Sequence, residues 1–134
     1  MHPTLQRIHQ LAANEPDSHR QKAPYHLYAY QLIPLMDEPE FATYIGETGK
    51  SVDQRYSEHA DGSRTCWPVR RGEYEVGPLR RDVMEALPSF KCRECVEQAE
   101  GLLADYFDET EGGAYSNNGQ SADLRRNEQE AGDA

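Results

Sequence analysis

The chain has 134 residues, 37% hydrophobic and 28% charged, with a formal net charge of −10. That length suits one domain with a modest core. A mean hydropathy of −0.92, with no apolar run near the ~20 residues of a membrane-spanning helix, excludes an integral helical membrane protein. The acidity also argues against loose, sequence-independent nucleic-acid binding, which draws its affinity from Lys and Arg.

Residues 4–13 place Leu5, Ile8, Leu11 and Ala12 at helical spacing and predict a short amphipathic helix. A polar stretch with two prolines follows to residue 24 and reads as a linker. Residues 25–33 (YHLYAYQLI) alternate and are rich in aromatics, as a strand requires. His26, Tyr28, Tyr30 and Leu32 share one face of it. A turn over residues 34–39 leads to a second strand, 41–46 (FATYIG), antiparallel to the first because the connection is short. Ser51-Val52-Asp53-Gln54 has the form of a capping box and predicts a helix from there to about residue 60, ended by Asp61-Gly62. Tyr74-Glu75-Val76 reads as a third, short strand. Gly77-Pro78 reads as the opening of a helix with Leu79, Val83, Met84 and Leu87 on one stripe. A last helix, 93–107, turns Val96, Ala99, Leu103 and Tyr106 inward.

Charge is uneven along this order. Residues 46–95 carry nine basic and nine acidic groups, and residues 96–134 carry two basic and ten acidic. In the balanced part, Arg64, Arg70, Arg71, Arg80 and Arg81 are candidates for a local basic face. The first seven residues contain no apolar core of a secretory signal. Three cysteines in such a chain fit a reducing cytoplasm, with the thiols free or metal-bound.

The chemistry-bearing stretch is 28–59. Two adjacent strands offer Tyr28, Tyr30 and Tyr44, and the capped helix that follows places Arg55 and His59 four residues apart on one face. Phenols, a guanidinium and an imidazole together suit a phosphate: Arg forks onto its oxygens and a tyrosine can orient or deprotonate water. Tyr44-Ile45-Gly46, then Thr48, Arg55 and His59, resembles the YIG half-motif, loop and helix of the GIY-YIG nuclease superfamily. The first half-motif is degenerate, with Tyr28-Ala29-Tyr30 standing for G-I-Y. Tyr30 is the match for the family tyrosine, and Tyr28, two residues earlier on the same face, is the alternative. Ala99-Glu100-Gly101-Leu102-Leu103 is similar to the helix that supplies the family's single metal-binding glutamate, with Glu97 as its alternative and Asn117 or Asn118 as a following asparagine.

The resemblance implies an α/β domain with a short antiparallel three-stranded sheet flanked by helices, spanning residues 25–118. Residues 1–24 would be a helix and linker, and 119–134 an acidic disordered tail. It implies hydrolysis of DNA phosphodiesters with Mg²⁺ or Mn²⁺ held by Glu100. Tyr30 would be general base, Tyr44 a hydrogen-bond donor to phosphate or water, and Arg55 the charge stabiliser. His59 would be a phosphate contact or proton shuttle, with Tyr28, Gly46 and Lys50 contacting substrate. A partner protein or a homodimer would supply targeting. The same fold without turnover, binding nucleic acid or protein, is the alternative. Cys92-Arg93-Glu94-Cys95, with Cys66, is a separate candidate for structural zinc. The nuclease reading requires the two phenols, Arg55 and Glu100 to meet in a hollow that a phosphate can reach.

Overall fold

The computed structural model describes residues 2–16, 24–36, 41–62 and 65–116. Helix α1 (Pro3–Ala13) begins with proline in its first turn, and the His2 ring accepts the Thr4 N–H at 3.1 Å. Strand β1 (Tyr25–Pro34) pairs antiparallel with β2 (Ala42–Thr48), which sets Tyr28 opposite Gly46 and Tyr30 opposite Tyr44. Helix α2 (Val52–Asp61) is capped by Ser51, whose Oγ accepts the Gln54 N–H at 3.1 Å, and ends on Gly62 in the left-handed region. A single turn, α3 (Trp67–Arg70), precedes β3 (Tyr74–Leu79), which lies antiparallel on the other side of β1. After the short α4 (Arg81–Met84), β4 (Ser89–Phe90) pairs with the start of β1. The long helix α5 (Arg93–Glu111) then leads to β5 (Ala114–Tyr115), parallel to β2.

The sheet is therefore five-stranded and mixed, in the order β3-β1-β2-β5 with β4 also on β1, rather than three-stranded and antiparallel. The two extra strands are two residues each, too short to carry an alternating pattern. Gly77-Pro78 continues β3 instead of opening a helix. β3 is an edge strand, where a missing N–H is tolerated. A Cβ at Gly77 would approach the Gln31 carbonyl oxygen to 2.6 Å, so glycine permits the close approach beside the register shift between Tyr30 and Leu32. The stripe expected from residue 79 to 87 is divided: Leu79 and Met84 pack on one side of the sheet, Val83 and Leu87 on the other.

Alternation along β1 separates two cores. Leu27 and Ala29, with Ile45 of β2, pack on Ile8 of α1 and on Val96, Ala99, Leu103 and Phe107 of α5. Helix α1 thus shares this core. Tyr28, Tyr30 and Leu32, with Tyr44, face the other way toward α2, Cys66 and Tyr74. Among the described residues, no helix is long and apolar enough to cross a membrane.

Candidate functional site

The site grows from the second face. Cross-strand pairing sets Tyr30 beside Tyr44, with ring centroids 5.2 Å apart, and period-two alternation sets Tyr28 next to Tyr30 at 6.4 Å. Helix α2 lays its His59 ring across all three, 5.7, 4.9 and 5.3 Å from Tyr28, Tyr30 and Tyr44. His59 is 1% exposed and bonds through both nitrogens. Its Nε2 lies 2.9 Å from the Tyr28 hydroxyl and its Nδ1 lies 2.7 Å from that of Tyr30.

The proton order in this chain follows from Cys66. Its sulfur accepts the Tyr30 O–H at 3.2 Å and is approached by the Val69 backbone N–H. With its proton committed to sulfur, the Tyr30 oxygen accepts from His59 Nδ1–H. A neutral imidazole then has Nε2 as its acceptor, so Tyr28 donates to it. Burial, followed by the Arg55 charge, pushes the His59 pKa down to about 4, so the ring is neutral at pH 7. Burial raises the pKa of all three phenols.

Arg55, one turn before His59, approaches the Tyr28 hydroxyl as a hydrogen-bond donor and opposes the rise in that phenol's pKa. Its guanidinium also bonds Glu58 at 3.2 Å. Glu100 of α5 is 4% exposed, accepts the Ser116 hydroxyl at 2.8 Å, and lies close enough to raise the Tyr28 and Tyr44 pKa values through its charge. Four elements, β1, β2, α2 and α5, thus bring Tyr28, Tyr44, Arg55, His59 and Glu100 into one cluster.

Other expected residues fall differently. Tyr30 is fully buried behind His59, with its hydroxyl between His59 and Cys66, so Tyr28 is the phenol against Arg55. Gly46 is buried, and a Cβ there would collide with the Tyr28 hydroxyl and ring. It makes room for that side chain rather than offering a surface to a ligand. Glu97, the alternative acid, bonds Arg93 at 3.1 Å. Arg71, Arg80 and Arg81 are engaged by Glu73, by Glu111 and Asp82, and by Asp53. Arg64, Asn117, Asn118 and the acidic tail lie outside the described residues.

An open cleft of about 430 Å³ adjoins the cluster at Arg55, lined also by Tyr25, Glu47, Thr48, Gly49, Lys50 and Arg93. Three cations and one carboxylate meet there. Burial raises the Glu47 pKa against the opposing charge of Arg93, 3.9 Å away. Tyr25, Glu47 and Arg93 carried no signal in sequence, because only folding brings residues 25, 47 and 93 together. Tyr28 is 1% and Glu100 4% exposed, so phenol and acid are enclosed rather than lining the reachable hollow expected from sequence, and Arg55 is the group shared by cluster and cleft.

Glu100 presents hard oxygen ligands from a single carboxylate. One of these oxygens accepts the Ser116 hydroxyl, and a Mg²⁺ held by the other would draw the rest of its shell from water and phosphate oxygens. The cysteines divide. Cys66 belongs to the tyrosine cluster, whereas Cys92 and Cys95 come together with Glu15 in a group that could hold a metal ion. The three cysteines expected as a zinc set therefore do not meet: Cys66 stands on the other face of the sheet, and the group beside Cys92 and Cys95 is the carboxylate of Glu15, 77 residues upstream of Cys92.

No family model matches this sequence, and comparison with curated proteins and with solved structures gives no match.

Proposed function

We propose that the protein is a metal-dependent endonuclease of GIY-YIG type that hydrolyses DNA phosphodiester bonds, with Tyr28 in the place the sequence pattern assigned to Tyr30. The observation that carries this reading is the convergence of Tyr28, Tyr44, Arg55, His59 and Glu100 from four elements. The phosphate enters by the cleft lined by Lys50, Arg93 and Arg55. Arg55 offsets the charge that grows on the phosphoryl oxygens. Where the cleft opens onto Tyr28, its oxygen accepts a hydrogen bond from the attacking water and orients it, while its own O–H stays on His59 Nε2, which the Tyr30–Cys66 chain holds as the acceptor. Tyr44 steadies the His59 ring and the water. Mg²⁺ on Glu100 would supply Lewis-acid stabilisation of the phosphate and the leaving oxygen.

A second reading has one observation in its favour. The Tyr28 and Tyr30 hydroxyls are enclosed, which suits a module that binds a phosphate at Arg55 without turnover.

Purified protein incubated with supercoiled plasmid and Mg²⁺ or Mn²⁺ separates the two readings. Nicking by the parent, with a drop of about 10²–10³-fold in Arg55→Ala and in Glu100→Gln, supports the enzyme. A salt-dependent gel shift without cleavage supports the binder. Equal cleavage by parent and variants refutes the assignment of the site.

A further inference from the structure

We propose that Glu15, Cys92 and Cys95 form a Zn²⁺ site that ties the end of α1 to the start of α5. It is independent of the nuclease reading. One ligand atom from each of the three residues lies within 4.8 Å of the other two. Ligands on a tetrahedral Zn²⁺ with bonds of about 2.0–2.3 Å stand about 3.4–3.8 Å apart, so closure by about 1 Å completes the geometry. Rotation of three side chains supplies that movement.

The donor set selects the metal. Two sulfurs and one carboxylate suit a borderline-soft ion and reject Mg²⁺ or Ca²⁺. The surroundings orient the donors. Glu15 Oε2 accepts the backbone N–H groups of Lys91 and Cys92 at 2.7 and 2.6 Å, which leaves its other oxygen as donor to the ion. The Cys92 sulfur accepts the Cys95 N–H at 3.4 Å, which closes the C-x-x-C turn and fixes the position of that sulfur. Cys92 is buried and Cys95 half-buried. Cys95 lines a groove of about 460 Å³ between α1 and α5, with Arg7, Gln10, Leu11 and Asn14 on its α1 wall. The groove gives an ion its way in and leaves room for water as the fourth ligand. Binding releases the two thiol protons to solvent as the two Zn–S bonds form.

The test uses the reduced full-length protein and Co²⁺ as a spectroscopic stand-in for Zn²⁺. One Co²⁺ per chain is expected, with a thiolate-to-cobalt charge-transfer band of the intensity of two thiolates, bleached by one equivalent of Zn²⁺. Cys95→Ser, at a half-buried position, should halve the band. It should weaken Zn²⁺ binding at least about 100-fold, because loss of an outer partner alone costs about 10–100-fold. Glu15→Gln keeps an acceptor for the two N–H groups and should weaken binding without changing the thiolate count. Cys66→Ala should leave the band intact. The proposal is overturned by absence of the band in folded protein, by a band that survives Cys95→Ser, or by a mass lower by two hydrogens that marks a Cys92–Cys95 disulfide under metal-replete reducing conditions.

Discussion

Replacing His59 with glutamine removes a buried imidazole held neutral between two phenols and a guanidinium. In the unfolded chain this ring takes a proton below about pH 6.5, whereas in the folded protein it stays neutral down to about pH 4. The stability tied to the neutral ring is complete above pH 6.5 and declines as pH falls toward 4. At about pH 5 the loss is about 2 kcal/mol, and it approaches about 3 kcal/mol below pH 4. Urea unfolding near pH 7.5 and near pH 5 measures it, for the parent and for His59→Gln. Glu58, whose pKa is lowered first by its Lys50 hydrogen bond, and Glu47, whose pKa is raised by burial, titrate in both proteins. Their effects cancel to first order in the difference. The parent should lose about 2 kcal/mol more than the variant between the two pH values. An equal pH dependence in parent and variant would refute the buried neutral histidine, and with it Nε2 as the hydrogen-bond acceptor of Tyr28.

Three further outcomes follow from the same geometry. Imidazole ¹⁵N shifts should show His59 as the Nδ1–H tautomer; the Nε2–H tautomer would reverse the proton order and remove His59 as acceptor for Tyr28. Gly46→Ala drives a methyl group into the Tyr28 ring, so urea titration should show a loss of about 1–3 kcal/mol, with nicking lost as Tyr28 is displaced. Arg80 forks onto Glu111 at 2.9 and 3.1 Å, bonds Thr43 at 3.3 Å and lies over the Phe107 ring. Arg80→Ala should cost about 1–2 kcal/mol in a urea titration, and Arg80→Lys should recover only part, because an ammonium cannot reproduce the fork.

Much of the fold was legible because its signals are local. Aromatic alternation marked β1, Ser51 and Gly62 bounded α2, and helical spacing marked α5. The misread segment, Gly77-Pro78, carries signals that suit a helix start and an edge strand alike, and only the neighbouring Gln31 backbone decides between them. The strands β4 and β5 are created by their partners.

The same division runs through the site. The order of residues along the chain was enough to put Tyr28 and Tyr30 on one face, and Arg55 and His59 one helical turn apart, because the periods of strand and helix are set by backbone geometry. A period of two makes the two tyrosines equivalent, and it was the resemblance alone that favoured Tyr30 over Tyr28. Packing sets them apart: α2 crosses β1 so that Arg55 meets Tyr28 while Tyr30 is left behind His59 and against Cys66. The Glu15 carboxylate at Cys92 and Cys95 belongs to the same class of fact. Residues so far apart in the chain share no local spacing, and only the docking of α1 on α5 gathers them.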